Sequence, residues 1–237
     1  VFNTLYFTGR LFQEEWPDLE SWIGSEYLEI GGHTFNAFEP SLFHRIWNKL
    51  TRNYNGPRFY EARDVGKTVE IIKRLTGQKI TAWRNHCYFH GPNTNDILVS
   101  FGCTSCSDEV ALPGARPRLE ENGLLTIPIN TIPDHEHIYH GERTKEQVDK
   151  WVKRYNWSDA YGSCSHSMSE WRKIMIANIE ENESKGVTSV IIAHPLCMYL
   201  ADGFDTLETI LKLAQRYGSC TVTDLAKNHS KDARLAA

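Results

Sequence analysis

The chain has 237 residues, 41% hydrophobic and 24% charged, with a formal net charge of −4 and a pI near 6.2. This is an ordinary globular balance, long enough to bury a core without a metal or disulfide framework, and its scattered Lys and Arg argue against a nucleic-acid face. No apolar run is long enough to span a bilayer and no signal peptide opens the sequence, which predicts a cytoplasmic protein. Cys87, Cys103, Cys106, Cys164, Cys197 and Cys220 lie mostly in or beside apolar runs and read as free thiols. Cys103-Thr104-Ser105-Cys106 has the gap of a zinc or redox pair, but no second such pair answers it.

Taken in order, the chain alternates strand-like and helix-like stretches, the pattern of an α/β protein with a mainly parallel sheet or barrel. Residues 2–8 read as the first strand, already under way at Val1 without an initiator Met, so an upstream segment is expected. Trp16, Leu19, Trp22 and Ile23 recur at helical spacing, and Leu28-Glu29-Ile30 runs as a buried strand into Gly31-Gly32-His33. There the Gly pair would let the backbone pass close to a ligand. Leu42, Phe43, Ile46, Trp47 and Leu50 form an apolar helical stripe, and Val65, Val69, Ile72 and Leu75 mark a helix that Gly77 closes.

Residues 80–83 make a strand that delivers Arg84, and a short helix over 93–101 precedes a Pro-, Gly- and charge-rich loop. Residues 124–129 form a strand. Asp134-His135-Glu136-His137-Ile138-Tyr139-His140 then reads as a solvated surface segment, although its His spacing also suits a metal or the lining of a substrate groove. A helix spans 145–155, and Ser167-Met168-Ser169-Glu170 is a capping box that opens another. Residues 187–193 form a buried strand ending on His194-Pro195, a helix covers 207–217, and a last strand covers 220–222. No internal repeat appears, and a single domain is expected.

Three strands thus end on a strongly polar residue: His33, Arg84 and His194. In parallel α/β folds the carboxyl ends of the strands share one face, and that face holds the active site. There is no Gly-x-Gly-x-x-Gly fingerprint and no P-loop, so no nucleotide cofactor is indicated. Ser163-Cys164-Ser165-His166-Ser167 places nucleophile types beside a His, but adjacent residues rarely face each other, and a loop or helix cap explains it.

From Val1 to about Asp224 the chain resembles the polysaccharide deacetylase family, also called the NodB-homology or carbohydrate esterase family 4 domain. Gly32-His33-Thr34-Phe35-Asn36 is similar to its metal-binding motif, the stretch 80–85 to the strand carrying its motif Arg, and Ile191-Ile192-Ala193-His194-Pro195 to its late catalytic strand. The resemblance implies a deformed (β/α) barrel of about seven strands and hydrolysis of an N-acetyl or related acyl group on a saccharide. A divalent metal, commonly zinc, would activate water and polarise the carbonyl.

Carried over residue by residue, the resemblance makes His33 a metal ligand, Arg84 the Arg that orients a catalytic Asp, and His194 the general acid. It puts that Asp, which is also a metal ligand, on a strand before Val1. Position 37, where a second metal His is expected, is Ala37, and the usual Pro and Tyr after the motif Arg are His86 and Cys87. His86 therefore becomes the candidate second imidazole. Asn36, Asn85, Tyr88, His135 and His137 are the candidate saccharide-binding residues. Two rivals are a degenerate saccharide-binding or partner-binding protein, favoured by Ala37, and a metal-independent amidohydrolase using His194.

Overall fold

The computed structural model describes residues 1–235, and the chain divides into two compact units. The first comprises Val1–Asp108, Pro117–Ile127 and Ser219–Ala237; the second comprises Glu109–Arg116 and Pro128–Gly218.

The first unit is built on one sheet. Strands β1 (Asn3–Phe7), β2 (Leu28–Gly32), β3 (Ala82–Trp83), β4 (Ser105–Cys106), β5 (Arg118–Leu119) and β6 (Leu125–Thr126) lie in the order β1-β2-β3-β4-β6-β5. Every neighbouring pair is parallel except β5 and β6. Parallel pairs need crossovers, and α1 (Gly9–Glu14), α2 (Trp16–Leu19), α3 (Ser41–Thr51), α4 (Arg58–Thr76) and α5 (Thr94–Ser100) lie in them. Thr8 caps α1 by accepting the Leu11 N–H at 3.3 Å, and Gly77 closes α4 in the left-handed conformation, as its position in the sequence predicts. Phe12, Ile30, Ile72, Ile80, Trp83, Leu98 and Leu124 form the core.

Gly31 and Gly32 have a different reason from the one expected. A Cβ on Gly32 would lie 2.3 Å from the Trp83 ring, and one on Gly31 would lie 2.6 Å from the Tyr6 ring. The pair makes room for aromatic side chains of the two neighbouring strands. The α3 stripe also departs from a core face, because Leu42, Ile46 and Leu50 are 66%, 54% and 74% exposed.

The second unit contains α6 (Lys145–Tyr155), α7 (Met168–Ser184), α8 (Pro195–Asp202) and α9 (Asp205–Tyr217). Ser167 and Glu170 make the expected capping box at the start of α7. Its core gathers Ile132, Ile138, Trp171, Met175, Ile179, Met198 and Ile210.

Residues 187–193, expected as a strand, are not one. The Asn130 side chain accepts the Val190 N–H at 2.8 Å and donates to the Thr188 carbonyl at 3.0 Å, while Thr131 Oγ1 donates to the Val190 carbonyl at 2.9 Å. Side chains thus satisfy backbone groups that a ladder would otherwise take. Residues 220–222 are likewise not a strand, because α10 (Val222–Leu235) starts there. Thr221 Oγ1 accepts the Asp224 N–H at 3.2 Å and donates to the Asp224 carboxylate at 3.0 Å, an N-terminal cap that the apolar pattern conceals.

Candidate functional site

In the first unit the ends of β2 and β3 bring His33 and His86 together. His33 Nδ1 lies 2.7 Å from the Arg84 carbonyl oxygen, which can only accept, so Nδ1 carries the hydrogen and Nε2 keeps a lone pair. That Nε2 is 3.2 Å from His86 Nδ1. Burial, reinforced by His86, pushes the His33 pKa down to about 3 and keeps the ring neutral at ordinary pH.

Arg84 is buried, with Nε donating to the Ser107 carbonyl at 3.0 Å, Nη2 to Ser107 Oγ at 2.8 Å, and the guanidinium 4.6 Å from the Tyr6 ring centre. Asn85 turns inward: Trp83 Nε1 donates to its Oδ1 at 2.8 Å, and its Nδ2 donates to Asp108 at 2.8 Å. Asp108 also accepts the Asn85 N–H at 2.6 Å and is bonded to His90 Nδ1 at 3.0 Å and Cys106 Sγ at 3.1 Å. Burial alone would lower the His90 pKa, but its bond to Asp108 and that residue's charge raise it overall.

Asn36 is half-buried, accepting from Arg10 and donating to the Glu39 carbonyl. Tyr88 is half-buried in the turn after Asn85, and Phe89 beside it stacks on Tyr54 with ring centres 4.1 Å apart. Trp83 is fully buried and packs in the core.

In the second unit His194 meets Asp134, sixty residues earlier in the chain. The Asp134 carboxylate is fully buried. It bonds His194 Nδ1 at 2.7 Å through one oxygen and accepts the His194 backbone N–H at 2.5 Å through the other. The His194 side chain itself is 42% exposed. A carboxylate so placed holds Nδ1–H and fixes the orientation of the ring, the arrangement of an oriented acid or base.

The surface reading of residues 134–140 is corrected here, since Asp134 and His137 are both fully buried. His137 spends both ring nitrogens internally, on the Cys164 carbonyl at 2.7 Å and on Asp159 at 3.0 Å. His135 is exposed, with Nδ1 3.3 Å from Cys197 Sγ. The sequence marked Asp134 only as part of the 134–140 segment, without its partner, and did not single out His90, Asp108 or, beyond its free thiol, Cys197. The signal present was a carboxylate just after Pro133, in the turn where a buried stretch ends.

A zinc ion is tested by the donors themselves. Two nitrogens on one tetrahedral zinc, each at about 2.0–2.1 Å, lie about 3.3 Å apart, which the 3.2 Å between His33 and His86 matches. A ligand His also commonly donates its other nitrogen to a carbonyl, as His33 does to Arg84. The pair fits two of the three protein ligands of a catalytic zinc.

Neither a protein-family model nor a curated protein matches this sequence. Solved structures do. A structure assigned as a polysaccharide deacetylase from Mycobacterium smegmatis is 13% identical with a TM-score of 0.71, covering 98% of this chain and 73% of its own. PuuE allantoinase is 14% identical with a TM-score of 0.60, covering 94% and 66%. A further structure assigned as a polysaccharide deacetylase, from Pseudomonas aeruginosa PAO1, is 14% identical with a TM-score of 0.58, covering 94% and 67%. At these identities the likeness speaks of fold, and it shows that this chain is an α/β protein with a divergent form of the polysaccharide deacetylase fold.

Proposed function

We propose that this protein is a metal-dependent hydrolase that removes an N-acetyl or related acyl group from a saccharide. The observation that carries the reading is the Asp134–His194 pair, a half-exposed imidazole locked to a buried carboxylate. Amide hydrolysis needs this kind of group, because an amine leaves only once its nitrogen is protonated. His194 would deliver that proton from Nε2, while Asp134 holds Nδ1 and stabilises the charged ring.

His33 and His86 would hold the divalent cation. When bound, it supplies a more acidic water and polarisation of the acyl carbonyl. Arg84, pinned by Ser107, stays in the role of orienting a catalytic carboxylate. Asn36, Tyr88 and His135 are the candidates for contact with the saccharide. Asn85 and His137 commit their polar side-chain atoms within the protein and would act by positioning Asp108 and Asp159. A role in building cell-surface polysaccharide rests on the family resemblance alone.

The deciding experiment pairs elemental analysis with amine release from an N-acetylated oligosaccharide. Zinc content that His33→Ala and His86→Ala each lower by about one ion per chain, with turnover lost in His194→Ala, supports the hydrolase. Turnover that persists after the metal is stripped leaves the metal-independent amidohydrolase. Saccharide binding without amine release leaves the degenerate binding protein that Ala37 favours.

A further inference from the structure

We propose that the second unit holds its own cation site, in which His135, His140 and Cys197 bind a borderline ion such as zinc or cobalt(II) through two imidazole nitrogens and one thiolate. The three ligand atoms all lie within 4.8 Å of one another. His135 Nδ1 is 3.3 Å from Cys197 Sγ, and a nitrogen and a sulfur on one tetrahedral zinc lie about 3.5 Å apart. Soft sulfur combined with imidazole selects zinc-like ions over magnesium or calcium.

A second observation points the same way. His140 Nε2 is buried and has no hydrogen-bond partner among the described residues, while the ring is held through a bond with the His135 backbone. Buried polar groups are nearly always partnered, and a cation would partner this one. Burial lowers the pKa of both imidazoles, so each presents a lone pair at neutral pH. Cys197 lies in the first turn of α8, where burial pushes its thiol up to about 12. It would give up its proton as the sulfur–metal bond forms, so one proton leaves for each ion bound.

A cleft of about 430 Å³, lined by His135, His140, Glu142, Arg143, Gln147 and Trp151, leaves the fourth coordination position open to water or a small anion. Two other groups among the described residues are poorer hosts. In the His90–Cys106–Asp108 group the carboxylate already takes bonds from Asn85, His90 and Cys106. In the Asp134–His194–Cys197 group both Asp134 oxygens are engaged by His194. The ion would stand beside the acid pair, since the His135 and His194 ring centres are 5.4 Å apart.

The test is a titration of the metal-free chain with cobalt(II) alone, read by the near-ultraviolet sulfur-to-cobalt charge-transfer band. The band should be complete by two equivalents in the unaltered chain, saturate at one equivalent in His33→Ala, and persist in Cys106→Ser. It should vanish in Cys197→Ser, and His140→Ala should weaken cobalt binding by about tenfold or more. No band in the unaltered chain, a band that survives Cys197→Ser, or one lost instead with Cys106→Ser would overturn the proposal. If Cys197→Ser does not fold by far-ultraviolet circular dichroism, His140→Ala decides, and cobalt affinity equal to the unaltered chain refutes the site. Because His33→Ala is in the series, failure here is distinct from failure of the His33–His86 metal reading.

Discussion

In the proposed reaction Asp134 would act only through His194. Its carboxylate is saturated by the ring and backbone of that residue and has no exposure of its own. Asp134→Asn should therefore slow amine release by about 10²–10³ with the fold unchanged, within the range of general acid–base catalysis. The double variant with His194→Gln should be little worse than the worse single, as for groups acting as a unit. Initial rates beside circular dichroism check this, and fully additive losses would contradict it. Asp64 makes the pH argument at the same scale. Burial raises its pKa to about 6, against the bond it accepts from the Phe35 N–H at 2.8 Å. A native pKa above the unfolded one gives a contribution present in full at low pH and lost as pH rises through about 6. Asp64→Asn should therefore gain stability relative to the unaltered chain between pH 4 and pH 7, as read from urea midpoints. A difference that does not change with pH would show that the carboxyl titrates normally.

Among the elements, β2 shows what an aromatic neighbour demands of a strand. Gly32→Ala places a methyl 2.3 Å from the fully buried Trp83 ring, so it should cost about 1–3 kcal/mol or more in denaturant unfolding, as overpacking does. A neutral result would mean that β2 and β3 separate easily. In the second unit Asn130 replaces a strand partner for residues 188–190 and also bonds the Ala115 carbonyl and Asn182. Asn130→Ala leaves several buried backbone groups unpaired, and a loss of about 3 kcal/mol or more is expected at about 1–3 kcal/mol for each. Helices α4, α6, α7 and α9 were legible because capping residues and apolar spacing are local properties. The run over 187–193 looked like a strand because its side chains are apolar. Whether a partner strand lies alongside is a tertiary fact that no local pattern carries.

For the whole molecule, the two proposed cation sites lie in different compact units and draw on different residues. Zinc-saturated protein should carry about two ions per chain, with His33→Ala removing one and Cys197→Ser the other. Elemental analysis settles the count, and a single variant that removes both would contradict two independent sites. The α/β alternation, the Gly77 helix end, the Ser167 capping box and the strand ends before His33 and Arg84 are fixed by the sequence alone, since each follows from neighbours a few residues apart. Tertiary structure decided that Asp134 meets His194, that Cys197 meets His135 sixty-two residues away, and that the Gly31-Gly32 pair serves Tyr6 and Trp83. Such contacts arise only when distant segments are folded against each other, and neither periodicity nor composition encodes which carboxylate reaches which imidazole.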